Sequence, residues 1–302
     1  MYSGKQYRRN CQKTIVCRRI KPDRSADMGC SFNIRLAGQQ LHIESIYPEV
    51  MLACADFIVR EHYTQCSECG DAASAVSVSN GTEASLPTIR ITEQDIEYER
   101  MQSRLQNERD GIPVQNYSDG SLESLAVCRK AAEELLEHGI LLMHGSAVAV
   151  RKESGLFGKS EAVLFLAPSG TGKTTHSKLW LRNIPGSFII NGDKPLLRSV
   201  SKPFICGSPW MGKENFGCST EAPLKAVCFL ERAGQNSIER VTFKDALPSL
   251  LGSSFRPSGS LSAMQILAKL CSVDFYRLKC NMDDEAALLC YGTIFAGGND
   301  RR

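Results

Sequence analysis

The run Ala167-Pro168-Ser169-Gly170-Thr171-Gly172-Lys173-Thr174 has the residue types and spacing that hold a triphosphate. Its glycines let backbone N–H groups turn inward toward phosphate oxygens. Lys173 offers a point charge to the β- and γ-phosphates, and Thr174 offers a hydroxyl to Mg²⁺. A helix starting there aims its positive end at the anion. The nucleotide-binding candidates are therefore Ser169, Gly170, Thr171, Gly172, Lys173, Thr174 and Thr175. The first position is Ala167 rather than glycine, a variation that a close relative of the strict pattern allows.

Asp193 is the second candidate. It closes the apolar run Phe188-Ile189-Ile190-Asn191-Gly192-Asp193, twenty residues beyond Lys173. Phosphoryl transfer needs a carboxylate near the metal or near the attacking hydroxyl. Asp193 suits either role, so Thr174 and Asp193 are the candidate metal ligands. His144 follows the apolar run Ile140-Leu141-Leu142-Met143, and spacing alone gives it no chemistry. Lys213 and Glu214 follow a Gly-x-Pro-Trp turn, where Lys213 is placed to meet developing negative charge. Trp210 reads either as a pocket wall or as core, and Arg256 either as a phosphate contact or as a solvated loop residue.

These groups need elements to position them. Ala162-Val163-Leu164-Phe165-Leu166 reads as a strand running into the loop, with a helix from Lys173 through Leu181 behind it. Leu122, Leu125, Ala126, Ala132, Leu135 and Leu136 share one helical face, and Gly139 sits where a C-cap belongs. Ala147 to Val150 and Ala226 to Leu230 read as buried strands. Toward the N-terminus, Phe32, Ile34 and Leu36 alternate with polar residues, as do Leu41 and Ile43 after Ala37-Gly38, which is a hairpin signature. A short helix is expected between Ile46 and Val59, a loop over 64–86, and a strand over 88–92. Residues 97–108 are charged and poorly patterned. The expected organisation is a basic tail at 1–27, a small α+β module at 28–120, and a nucleotide-binding domain at 121–302.

Composition narrows the class. Hydrophobic residues make up 42% and charged residues 23%, as in a soluble globular protein. No apolar run approaches the roughly 20 residues that span a bilayer, and the N-terminus lacks a secretory pattern. A cytoplasmic protein with no membrane partner is expected. The 13 cysteines are scattered and several sit in apolar runs, which favours reduced thiols over a disulfide framework. Cys66-Ser67-Glu68-Cys69 has no second ligand pair, so it reads as a surface loop rather than zinc. Residues 1–27 carry +6 of a net +3, which leaves the rest at −3 and implies no nucleic-acid surface.

Five further segments carry a resemblance. They are Leu142-Met143-His144-Gly145-Ser146-Ala147-Val148, Asn191-Gly192-Asp193-Lys194-Pro195, Gly207-Ser208-Pro209-Trp210-Met211-Gly212-Lys213-Glu214, the run from Pro223 to Arg232, and the run from Tyr276 to Asp283. With the phosphate loop in this order, the chain over roughly 120–292 resembles the HPr kinase/phosphorylase-like branch of the phosphoenolpyruvate carboxykinase superfamily. It looks closest to small bacterial serine kinases, including those of lasso-peptide clusters. The resemblance implies an α/β fold with a mixed sheet and flanking helices around the loop, rather than a doubly wound parallel sheet. It implies His144 and Asp193 around the transferred phosphate. It implies ATP and Mg²⁺ as cofactors and a peptide or protein serine as acceptor, with a homo-oligomer among the expected partners. HPr kinases have two consecutive aspartates where this chain has Gly192-Asp193. That leaves open whether Asp193 is base or metal-associated, and whether there is reverse phosphorylase activity. Two rival readings are a non-catalytic ATP-binding regulator and a phosphoenolpyruvate carboxykinase. The second lacks an evident second metal site and Arg-rich pocket.

Overall fold

A computed structural model describes residues 29–59, 86–109, 111, 113, 115–151, 160–199, 202–257 and 261–296. The expected tail at 1–27, nearly all of the expected 64–86 loop, and the Cys66/Cys69 pair lie outside them. Among the described residues the chain forms twelve strands and seven α-helices, a mixed α+β architecture with a curled mixed sheet.

The N-terminal part forms as its alternation dictates. Strands β1 (Cys30–Leu36) and β2 (Gln39–Ser45) pair antiparallel. Ala37 and Gly38 both take positive φ, 50° and 90°, as a two-residue hairpin turn of this hand requires. Phe32, Ile34, Leu36, Leu41 and Ile43 all point inward and are buried. Strand β3 (Thr88–Arg90) adds parallel to β2. Helix α1 (Pro48–Ala53) comes between β2 and β3 in the chain, and α2 (Glu93–Arg109) follows β3.

Helix α3 (Asp119–Glu137) starts on a Ser118 cap that accepts from the Ser121 amide, and ends before Gly139 at φ 72°. Its apolar face joins Leu122, Ala126 and Leu135 to Ile34, Leu41, Ile43 and Ile89 in one hydrophobic cluster. That cluster spans both sides of residue 120. Glu123, fully buried on α3, binds the module further by accepting from the backbone amides of Ile46 and Tyr47, the latter at 2.8 Å.

The large sheet has nine strands. Strand β4 (Ile140–Leu142) leads to β5 (Ser146–Arg151) and β6 (Ser160–Leu166), then helix α4 (Lys173–Asn183) and β7 (Ser187–Asn191). Strands β8 (Leu196–Ser199) and β9 (Pro203–Cys206) follow, then β10 (Glu221–Arg232). Beyond them come β11 (Ser237–Val241), α5 (Phe243–Gly252), α6 (Leu261–Ala268), β12 (Asp274–Cys280) and α7 (Asp284–Tyr291). Strand β10 joins the sheet's two parts. Glu221, Ala222 and Pro223 pair antiparallel with β9, whereas residues beyond them run parallel to β6 and β12.

Both faces of this sheet are covered. Ala147, Ala149, Leu164 and Leu166 pack with Leu250 and Leu267 on one side. Their chain neighbours Val148, Val150, Val163 and Phe165 pack with Trp180 and Cys290 on the other. That explains the nearly continuous apolar runs in the sequence. The described cysteines are free, and none of the described helices is long and apolar enough to cross a membrane.

Direction matters more than order. Strand β5 is antiparallel to both β6 and β7, so β6 and β7 run the same way. Strands β10 and β12 share that direction. The C-terminal ends of β6, β7, β10 and β12 and the N-terminal end of β5 therefore meet along one sheet edge.

His176 on α4 illustrates the cost of a polar group behind that edge. It is 2% exposed and lies edge-on to Phe165 with ring centroids 4.9 Å apart. Its Nε2 accepts from Trp180 Nε1 at 3.1 Å, while its buried Nδ1 has no partner. Burial drives its pKa from 6.5 down to about 4, so the folded protein keeps it neutral. Because its folded pKa is lowered, its full stability contribution is present above pH 6.5. That contribution is lost as pH falls toward 4, where the unfolded chain binds a proton the folded one does not. The expected loss, relative to His176→Leu measured over the same range, is on the order of 3 kcal/mol. Urea midpoints from pH 7.5 to pH 4 test this; parallel pH curves for the two proteins would contradict it.

Candidate functional site

The phosphate loop connects the C-terminal end of β6 to α4. Gly170 at φ 76° and Gly172 at φ 121° take conformations that side chains resist, which turns the loop's amides to one side. Gly172 caps α4 without a side-chain hydrogen bond, so the first helical N–H groups stay available to an anion. Ser169 and Gly170 are exposed, Thr174 is partly buried, and Thr175 is exposed. Lys173 is 8% exposed and donates to the Ala167 carbonyl at 2.7 Å and more weakly to Pro168 at 3.4 Å. Burial lowers its pKa, and the Asp193 charge partly opposes that.

Two contacts hold the loop in place. Ser177 Oγ donates to the Lys173 carbonyl at 3.0 Å and lies 2.7 Å from Ser146 Oγ, tying the first turn of α4 to β5. Arg232, at the C-terminal end of β10, reaches the loop from outside. Its Nε donates to the Thr171 carbonyl at 3.1 Å and its Nη2 to the Gly170 carbonyl. These carbonyls must face away from an anionic ligand, and the guanidinium holds them outward.

Asp193 stands just past β7, which ends at Asn191 rather than at the carboxylate. The turn between them is built by the fully buried Asn191 side chain. Its Oδ1 accepts from the amides of Asp193 at 2.8 Å and Lys194 at 2.7 Å. Its Nδ2 donates to the Ser208 carbonyl and hydroxyl, both at 3.0 Å. Ser208 Oγ in turn donates to the Lys194 carbonyl at 2.6 Å. Gly145 N–H donates to the Asp193 carbonyl at 2.9 Å, which joins the start of β5 to this turn. Gly145 has no room for a side chain: a Cβ there would stand 2.8 Å from the Phe165 carbonyl.

That join brings His144 to Asp193, with Nε2 3.6 Å from Oδ1. The His144 ring keeps 47% of its surface exposed. Burial of the remainder, then the Lys173 charge, lowers its pKa, while Asp193 pulls the other way. The net effect favours a neutral imidazole that can take up a proton. Lys194 Nζ lies 2.9 Å from Asp193 Oδ2. Burial alone would lower the Lys194 pKa, but the Asp193 carboxylate outweighs it and the net shift is upward.

The remaining sequence candidates divide. Lys213 is exposed on the turn whose Gly212, at φ 76°, lies against Asp193; Glu214 on that turn pairs with Lys178 of α4 at 3.1 Å. Trp210 is core: it is 6% exposed, joins the first cluster, and donates through Nε1 to the Ser124 carbonyl at 3.1 Å. Arg256 is exposed and bonds the Leu251 carbonyl at 3.2 Å. Its segment adjoins His144, whose amide donates to the Ser253 carbonyl at 2.6 Å. Lys194 and Arg232 were not singled out in the sequence; the available signal was a basic residue shortly after each apolar run.

Among the described residues no group of three or more His, Cys, Asp and Glu side chains could enclose a metal. Mg²⁺ beside a nucleotide needs only one or two protein oxygens with phosphates completing the shell. One carboxylate, Asp193, and one hydroxyl, Thr174, fit that requirement. No family model matches the chain, and no curated protein matches it.

The Arg232 contact yields a prediction. Arg232→Ala should weaken binding of a fluorescent ATP analogue by roughly tenfold, since charge-assisted hydrogen bonds to the loop carbonyls are lost. The melting temperature should change little, because the residue is exposed. Equal affinity in the two proteins would show that the loop holds its shape unaided.

Proposed function

We propose that this chain is an ATP- and Mg²⁺-dependent kinase that transfers a γ-phosphoryl group to a hydroxyl, that of a serine in a peptide or protein. The observation that supports it best is the meeting of the phosphate loop, His144 and Asp193 at one sheet edge, with Asp193 Oδ1 3.6 Å from His144 Nε2. The serine acceptor rests on the resemblance over residues 120–292.

In this reading the loop amides and Lys173 bind the triphosphate. To do so, Lys173 exchanges the carbonyls of Ala167 and Pro168 for phosphate oxygens. Bound Mg²⁺, held by Thr174 and Asp193, would neutralise charge on the phosphates. Asp193 orients the acceptor hydroxyl, and the neutral imidazole of His144 is available for its proton. Lys173, and Lys213 from its turn, stabilise charge on the transferring oxygens. No phosphorylase step and no decarboxylation is needed to account for these residues.

The test is incubation with γ-labelled ATP, Mg²⁺ and serine-containing peptides, including any precursor peptide encoded nearby. Phosphoserine should appear. Asp193→Asn should lower the rate by about 10²- to 10⁴-fold with nucleotide binding retained, and Lys173→Ala should abolish binding. Tight ATP binding without transfer or acceptor-stimulated turnover would point to a nucleotide-sensing regulator and sink the kinase reading.

A further inference from the structure

We infer that Lys194 is a positioning residue for the Asp193 carboxylate, fixing its Oδ2 so that Oδ1 faces the reaction space beside His144. The inference rests on the phosphotransfer reading and assigns to this site a residue that the reading does not use.

The carboxylate of Asp193 is held on three sides. Lys194 Nζ lies 2.9 Å from Oδ2. His144 Nε2 lies 3.6 Å from Oδ1, too far for a strong hydrogen bond, so this oxygen keeps its capacity for another donor. The third side is Gly212. A Cβ built there would stand 2.9 Å from Asp193 Cβ and 3.3 Å from Cγ, so the glycine allows the turn to close against the aspartate stem. Any side chain at 212 would collide with the aspartate stem.

Lys194 is itself fixed at its root. Its amide donates to Asn191 Oδ1 at 2.7 Å and its carbonyl accepts from Ser208 Oγ at 2.6 Å. The side chain is only 31% exposed, and so pays less ordering entropy on pairing than a surface lysine does. A flexible carboxylate next to a phosphate loop has another cation within electrostatic reach, since Asp193 acts on the Lys173 charge. A carboxylate turned to Lys173 would no longer face an acceptor. The Lys194 ammonium competes for the same group and holds it in the outward orientation.

A carboxylate misplaced by an ångström loses much of its catalytic value, while a triphosphate bound by the loop is less affected. The loss should therefore fall on kcat. Lys194→Met is compared with Lys194→Arg in the peptide phosphorylation assay, with KM for ATP measured alongside. The expected result for Lys194→Met is a kcat lower by about 10- to 100-fold with KM for ATP within about twofold. Lys194→Arg, which keeps a cation, should recover most of the rate. Should Lys194→Met fail to fold, Lys194→Gln, which lacks the charge but keeps a donor, is measured in its place. A neutral variant with unaltered kcat, or a Lys194→Arg protein no better than the neutral one, would overturn the inference alone. Absence of transfer by the unaltered protein would instead overturn the phosphotransfer reading, and this inference with it.

Discussion

A sheet buried on both faces has nowhere to put polar chemistry except an edge. In this protein the side chains of β5 and β6 go alternately into two apolar clusters, each under its own helices. On these two strands charged groups sit only near the ends, and four strand C-termini and one N-terminus of the sheet end together. The phosphate loop leaves β6 there, Asp193 follows β7, Arg232 finishes β10, and His144 precedes β5. Open sheets bind ligands beyond the carboxyl ends of their strands for the same reason. The interleaved antiparallel β5 is what adds a histidine from a strand start to the usual supply from strand ends.

Buried amide groups make that edge rigid. Asn191 and Ser208 satisfy one another and the backbone of residues 193 and 194, so the Asp193 turn has little freedom. The same packing crowds Gly192. Gly192 donates to the Phe216 carbonyl, and a Cβ there would stand 3.2 Å from both the Met211 and Phe216 carbonyls. An aspartate at 192 would have to push this backbone aside. Lys194 and Lys173 thus face one carboxylate between them.

Some of this was legible in the sequence because it is local. Alternating apolar residues specified the β1–β2 hairpin, the apolar face at 122–136 specified α3, and glycine spacing specified the loop. Helix α2 gave no such signal, since only Ile96, Glu99 and Asn107 are buried on it. It is held by ion pairs from Arg129 to Asp95 and Glu99 and from Lys130 to Asp95, which an apolar period cannot report. Strands β8 and β9 have four residues each, too few to show a period. Trp210 was ambiguous because an aromatic beside a Gly-Pro turn suits a pocket or a core equally. The meeting of His144 with Asp193 depends on the Gly145 amide bonding the Asp193 carbonyl, a contact between distant segments. Arg232 and Lys194 lie in the same category, since each acquires a role only once its strand end is placed beside the loop.

The central claim is that the loop delivers a terminal phosphate to Asp193 and His144. A crystal structure of the protein with Mg²⁺ and a non-hydrolysable ATP analogue tests it most directly. The account predicts that Lys173 has left the carbonyls of Ala167 and Pro168 for the phosphates, with the γ-phosphate facing Asp193 Oδ1 and His144. A nucleotide bound elsewhere, or one whose terminal phosphate points away from Asp193 while Lys173 keeps its loop contacts, would contradict it.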